Sequence, residues 1–248
     1  YFYLLALLCI SLSGCEKDDC GCDKLDITGD WVVDKVDGTD LKTNDVIVYK
    51  INSHDKMVEC FRDSLNEQSV DWKVGDLQYA LSGDLLQIYS PESMWGFDIR
   101  VLNSSQYAME WKMEKGEHNG EITHPSILYH LRRLSDDYMG VFVGLWEGYC
   151  TTPGESQEVH RWEYFSNGTY LYYSKDAQGE WPEQTDKSGT YVLNGDVLAT
   201  SWHGMNAAGE IIPKCEVWVI TIDKGKMSWR ATREDGKIIE YVMTKVQK

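Results

Sequence analysis

The chain has 248 residues, of which 40 are acidic and 24 basic, giving a formal net charge of −16. Acidity on this scale repels phosphate backbones and anionic headgroups, which excludes nucleic-acid binding and charge-driven adsorption to membranes. The length suffices for one large or two ordinary domains with hydrophobic cores of their own.

In chain order, the first segment is almost wholly apolar from Tyr1 to Leu12. It matches the core of a secretory signal and is too short for a membrane span, which needs about 20 apolar residues. Such signals begin with methionine and a basic flank, so the sequence reads as truncated at its start. Leu12-Ser13-Gly14-Cys15 follows, and it resembles the lipobox of bacterial lipoproteins. The resemblance implies removal of residues 1–14, diacylglycerol on the Cys15 sulfur, and a membrane partner reached through that lipid. Glu16-Lys17-Asp18-Asp19 is similar to the export signal that sends lipoproteins of Bacteroidetes-type bacteria to the outer face of the outer membrane. A solvated linker has the same composition. Residues 15–24 are then a short lipidated acidic tether that keeps the first domain close to the membrane, since a chain spans at most ~3.5 Å per residue.

Five cysteines remain after the leader and Cys15 are set aside, at positions 20, 22, 60, 150 and 215. Cys20-Gly21-Cys22 lacks the two-residue spacer of zinc knuckles and reads as linker thiols. Cys150 and Cys215 fall in strands of the same half. They are read either as a disulfide of an oxidising compartment or as two separate buried thiols.

From residue 25 onward, short runs rich in Val, Ile, Tyr, Thr and Trp alternate with turn signals such as Ser82-Gly83, Asn167-Gly168, Asn194-Gly195 and Lys224-Gly225. This predicts antiparallel hairpins in an up-and-down order, with at most a turn of helix near residues 136–143. Met227, Trp229 and Ala231 share one face of a strand while Lys226, Ser228 and Arg230 share the other, the pattern of a sheet with one wet side. Val217 to Ile222 is apolar on both faces, so either its outer side is covered or its inner side meets a packed interior.

The two halves repeat one another. Gly29-Asp30-Trp31 matches Gly144-Leu145-Trp146, and the run Tyr79 to Leu86 matches Tyr191 to Leu198. Met109-Glu110-Trp111 matches Met227-Ser228-Trp229, and Tyr129 matches Tyr241. Each unit, 25–136 and 137–248, has room for about eight strands, the number that closes a barrel wide enough for side chains or one small ligand. The layout resembles tandem lipocalin-like domains of Bacteroidetes lipoproteins. The fold class expected is therefore all-β, two tandem antiparallel up-and-down eight-stranded barrels. The resemblance implies that Trp31 and Trp146 plug the closed ends beneath a basic side chain of the last strand, Arg132 or Arg133 in the first unit and Lys245 in the second.

No catalytic constellation is present. The histidines at 54, 118, 124, 130, 160 and 203 lack the spacing that places two imidazoles on one metal, no nucleophile elbow or phosphate loop occurs, and no metal or cofactor is expected. His160, Trp162 and Tyr164 share one strand face opposite Arg161 and Glu163, and either face suits the barrel interior. Turned inward, the aromatic face would orient a ligand. Trp95, Trp181 and Trp202 stand near Pro, Gly or Ser in expected loops and suit either a glycan platform or the lips of a barrel mouth. Asp63-Ser64-Leu65 is similar to a short O-glycosylation motif of exported Bacteroidetes proteins, which makes Ser64 a candidate acceptor. The leading expectation is a non-enzymatic, envelope-tethered binding protein for a small apolar or amphipathic molecule in one or both barrels. The rival readings are a surface glycan-binding lipoprotein of an uptake system and a partner-binding protein with filled barrels.

Overall fold

A computed structural model describes residues 25–41, 46–62, 72–91, 94–134, 137–206, 208–233 and 235–247. Residues 1–24, where the leader, Cys15 and the tether are expected, and Ser64 lie outside them. The described chain forms two closed antiparallel barrels of eight strands each, with one short helix between them.

In the first barrel, β1 (Gly29–Val36), β3 (Ile47–Ile51), β4 (Lys56–Arg62), β5 (Trp72–Ser82), β6 (Leu85–Ser90), β7 (Trp95–Ser104) and β8 (Ala108–His118) pair in sequence. β10 (Ile127–Arg133) closes the ring by pairing with both β8 and β1. Two short strands, β2 (Thr39–Asp40) and β9 (Glu121–Thr123), extend β1 and β8. After α1 (Met139–Phe142), the second barrel runs through β11 (Gly144–Cys150), β12 (His160–Tyr164), β13 (Thr169–Ser174), β14 (Gly189–Asn194), β15 (Val197–Met205), β16 (Ile211–Asp223), β17 (Lys226–Thr232) and β18 (Ile238–Lys245), which returns to β11.

The period-two alternation turns one row of each strand inward and builds a separate core in each barrel. Met227, Trp229 and Ala231 enter the second core while Lys226, Ser228 and Arg230 stay outside. The β5–β6 and β14–β15 hairpins turn on glycines at positive φ, Gly83 (61°) and Gly195 (56°), at equivalent positions of the two units.

The sequence repeat is also a repeat of contacts. Trp31 and Trp146 are both fully buried, and each donates its indole N–H to the carbonyl four residues earlier, Ile27 O at 2.9 Å and Phe142 O at 2.7 Å. Arg133 lies over the first ring and Lys245 over the second, each 5.2 Å from the centroid. Tyr79 and Tyr191 each reach across the barrel end to donate to a backbone carbonyl at 2.6 Å, Asn52 O and Phe165 O respectively. Gly29 and Gly144 adopt the same conformation, φ 128° and 132°, directly beneath the Arg133 and Lys245 side chains.

A third apolar cluster joins the barrels. Val32 and Val48, on the outer face of β1 and β3, pack with Val197, Ala199 and Val217 on the outer face of β15 and β16. Beside this seam Arg132 Nη1 meets Asp196 Oδ2 at 2.7 Å. Asp196 occupies the hairpin position of Asp84 in the first unit, which instead pairs with Arg100 in solvent. The two-faced apolarity of Val217 to Ile222 thus has both causes, because Val217 enters the seam while Trp218 and Ile220 enter the barrel. Cys150 is a buried thiol inside the second barrel and Cys215 packs at the seam, on the other side of the wall, so a disulfide between them is ruled out by placement.

Close strand packing leaves no space at Gly148. A Cβ there would stand 2.2 Å from Val242 O and 2.6 Å from Met243 Cγ. Gly148→Ala is expected to lower stability by about 2 kcal/mol through forced displacement of β18. Gly140→Ala, whose added carbon meets nothing within 4 Å, should leave the urea midpoint unchanged or raise it.

Candidate functional site

The second barrel is closed at one end and graded along its length. Phe142 of α1, Trp146 and the cation of Lys245 seal the base, with Lys245 Nζ donating to Val141 O at 2.6 Å. Above this plug stands a continuous aromatic lining in which Tyr164 contacts Phe142, Tyr170 and Tyr191 with ring centroids 4.3–5.6 Å apart. Trp162, Trp218, Trp229 and Tyr241 form the next tier, at 5.2–5.9 Å. Such offset and edge-on packing suits the ring quadrupoles and fixes the lining rigidly.

Toward the other end the same inward rows turn polar and accessible. On β12 the progression runs from buried Tyr164 and Trp162 to half-buried His160. On β16 it runs from Ile220 and Trp218 to Glu216, and on β15 from Leu198 and Thr200 to Trp202. His160 Nδ1 and the Tyr172 hydroxyl share a hydrogen bond of 2.9 Å. Arg233 Nη2 lies 3.8 Å from Glu216 Oε1. His160, Tyr172, Trp202, Glu216, Arg233 and Tyr241 thus ring a mouth over an aromatic floor, which is the usual make-up of a small-molecule site.

Burial sets the protonation of this ring. It pushes the Glu216 carboxyl above its ordinary value, with Arg233 and Lys214 pulling the other way. Glu216 nonetheless keeps 31% of its side-chain surface, as a residue at the mouth does. Desolvation lowers the His160 imidazole, Lys187 adds to the effect and Glu158 opposes it, so the ring is neutral at pH 7. Burial raises the Tyr172 and Tyr241 hydroxyls, Tyr241 to about 12, and both remain protonated donors.

A pH signature follows for Glu216. Its folded form holds the proton above the ordinary value of 4.5, so the folded state binds more protons than the unfolded chain between that pH and the raised value. Stability contributed by this group therefore falls as pH rises through that window and is constant beyond it. Glu216→Gln should flatten this fall, read as a difference in urea midpoint between variant and parent that grows with pH above about 4.5 and then levels.

His160, Trp162 and Tyr164 are brought together on the inner face, while Arg161 is outside, bound to Glu147 at 2.7 Å. The three loop tryptophans are not brought together. Trp95 and Trp202 are strand residues, in β7 and β15, which corrects the loop assignment. The neighbouring glycines that suggested turns are tight-packing positions within the sheet: a Cβ on Gly96 would lie 3.2 Å from Ile88 O, and one on Gly204 would lie 3.0 Å from the Lys214 side chain. Trp181 does lie between strands, but its ring is occupied by Arg161 at 4.1 Å and flanked by Lys175 at 5.8 Å. Trp95 packs on Phe97 at 4.9 Å and both rest against the first barrel's core, while the outer wall beside them carries a groove of about 500 Å³ whose polar rim includes Gln87, Asp98, Lys115 and Glu117.

Glu216, Arg233 and Tyr172 escaped the sequence reading, and Trp229 entered it only as a repeat and strand-face residue. Strand alternation was the available signal, since Glu216 is in phase with Trp218 and Ile220. Among the described residues no group of three His, Cys, Asp or Glu side chains could hold a metal ion.

The chain matches no known protein-family model and no curated protein. Two crystal structures of mutant forms of the vaccine antigen transferrin binding protein B from Haemophilus parasuis Hp5 are similar to it, at 7% and 8% identity and TM-scores of 0.24 and 0.25. Each likeness covers 82% of this chain, which spans about half (54%) of the length of those structures. At these values the likeness supports no statement about this chain's partners.

Proposed function

We propose that this protein is a cell-envelope lipoprotein, tethered through lipid on Cys15 and facing outward, that binds a small amphipathic molecule in its second barrel without catalysing a reaction on it. The observation that carries the reading is the graded interior: an aromatic floor, fully buried, rises to a mouth where His160, Trp202, Glu216 and Arg233 remain accessible. An apolar body would rest against Trp162, Tyr172 and Trp229 while a polar end meets the charged rim. The acidic tether and lipobox of residues 12–19 support the address. The two units, 25–136 and 137–248, serve different ends in this reading, the first as the membrane-side carrier of the second.

The test is titration with N-phenyl-1-naphthylamine, a neutral apolar fluorophore. Saturable enhancement that Trp202→Ala and Tyr172→Ala weaken, while the first-barrel variant Tyr49→Ala does not, supports the proposal. No saturable signal from the intact protein means filled barrels and overturns it.

A glycan-binding reading keeps one supporting observation, the polar outer groove beside Tyr89 and Trp95. Retention on a polysaccharide affinity gel that Trp95→Ala abolishes would favour it.

A further inference from the structure

Among the described residues, two hydrogen-bonding groups deep in the second barrel have no partner. They are the Tyr164 hydroxyl and the Trp229 indole N–H, on side chains 1% and 3% exposed, whose rings lie 6.3 Å apart in the same aromatic cluster. Leaving a buried donor unmade costs a fold the desolvation of that group, so such atoms are rare and ask for an explanation. Three neighbouring donors are committed elsewhere. Tyr191 donates to Phe165 O, Trp146 to Phe142 O, and Tyr172 is engaged with His160.

The first barrel sharpens the point. Its Trp111, equivalent to Trp229, also has an unpartnered indole nitrogen. Yet the position equivalent to Tyr164 is Ile51: Gly29 pairs with Ile51 as Gly144 pairs with Tyr164. The neighbouring Trp162, Tyr170 and Tyr172 of the second barrel stand, by the same register, where the first has Tyr49, Met57 and Glu59. Plug and strap are shared between the units, and the lining is where they diverge.

The chemistry of the spot narrows the acceptor. Around Tyr164 are the rings of Phe142, Tyr170, Tyr191 and Trp229. The Lys245 ammonium is held at the base by Val141 O and the Trp146 ring, and Arg233 faces Glu216 at the mouth. A carboxylate placed among those rings would be a buried charge without a counterion, and a cation would find the ring faces and one hydroxyl oxygen but no anionic partner to offset its desolvation. A donor-only indole N–H beside a hydroxyl free to turn its proton the same way, with no charge, is the complement of a neutral carbonyl oxygen, which offers two lone pairs and no proton.

The geometry points to a deep subsite in the second barrel for a neutral carbonyl oxygen, that of a ketone, aldehyde, ester or amide on an aromatic or aliphatic body, held by the Tyr164 hydroxyl and the Trp229 indole N–H. This rests on the proposal that the second barrel takes a ligand and names the end of it that enters first.

The experiment compares acetophenone with ethylbenzene, nearly its shape without the oxygen, and with benzoate, which adds charge. Binding is followed on the intact protein by NMR, using the Trp229 indole N–H resonance assigned through Trp229→Phe. Acetophenone is expected to bind about tenfold more tightly than ethylbenzene and to move that resonance downfield. Benzoate should bind more weakly than acetophenone. Tyr164→Phe, which keeps the ring, should bring the ketone to within about threefold of the hydrocarbon and leave ethylbenzene affinity unchanged. If ethylbenzene and acetophenone bind equally, or if Tyr164→Phe leaves their ratio intact, the subsite is overturned while the ligand-binding reading survives. If benzoate binds best, an anion site replaces it. If none of the three binds, both the subsite and the lumen reading fall.

Discussion

Trp146→Ala is expected to cost about 4 kcal/mol of unfolding free energy, with the loss confined to the second barrel's transition in a urea titration. The indole is fully buried, and truncation leaves a cavity with rigid walls, since the rings above it already pack against one another and cannot collapse into the space. Three further contacts go with it: the hydrogen bond to Phe142 O, the cation of Lys245 over the ring and the seat of α1. Trp146→Phe should recover most of the packing and lose the hydrogen bond, about 1 kcal/mol. An equal loss for both variants would show that the N–H and not the volume holds the plug. Equal and simultaneous unfolding of both barrels would show that the seam couples them into one cooperative unit.

The second large effect concerns that seam. Arg132→Ala is expected to cost about 3 kcal/mol, because it leaves the Asp196 carboxylate, 11% exposed, without its counterion. The pair is imperfect as built: it makes one contact, and the other nitrogen and oxygen, Arg132 Nη2 and Asp196 Oδ1, are buried without partners. Removing both charges should therefore be nearly neutral. Arg132→Met with Asp196→Leu is expected to restore or exceed the parent's urea midpoint, since Val197, Val217 and Val32 already provide an apolar surround. If the double variant is as unstable as the single one, the ion pair contributes more than its desolvation cost and the seam depends on it.

The architecture was legible because the repeat and the alternation agree. Two Gly-x-Trp openings, two hairpin glycines and two straps such as Tyr79 and Tyr191 recur in one order, and only a closed sheet of the same strand number gives all of them equivalent places. The seam was not legible. Val32, Val48, Val197 and Ala199 are outward residues of strands whose inward rows are also apolar, and a strand buried on both faces reads the same whether its cover is a loop, a ligand or another barrel. Inside the site, alternation joined His160, Trp162 and Tyr164 but left their direction open. The direction is set by the opposite face, where Arg161 meets Glu147 and the ring of Trp181, a pairing of residues distant in sequence. Glu216 was hidden by abundance, since with 40 acidic residues no single carboxylate stands out until the strand register places it beside Arg233. Trp95 and Trp202 were misplaced because glycine signals a turn in sequence and a tight crossing in a sheet with equal ease.

The acceptor for each plug lies in the chain that leads into its barrel. Trp31 hangs from Ile27, and Ile27 comes before the first strand. Tension applied to the chain ahead of Leu25 would load Leu25, which packs on the first core, and Asp26, whose carbonyl accepts from Ser104 Oγ, and through them the tryptophan's hydrogen bond at Ile27. The lead-in is thus the bottom of the barrel as well as its handle, and a pull from that side works as a mechanical drain-plug on the first core, while the second, whose plug is anchored on α1, is shielded from it.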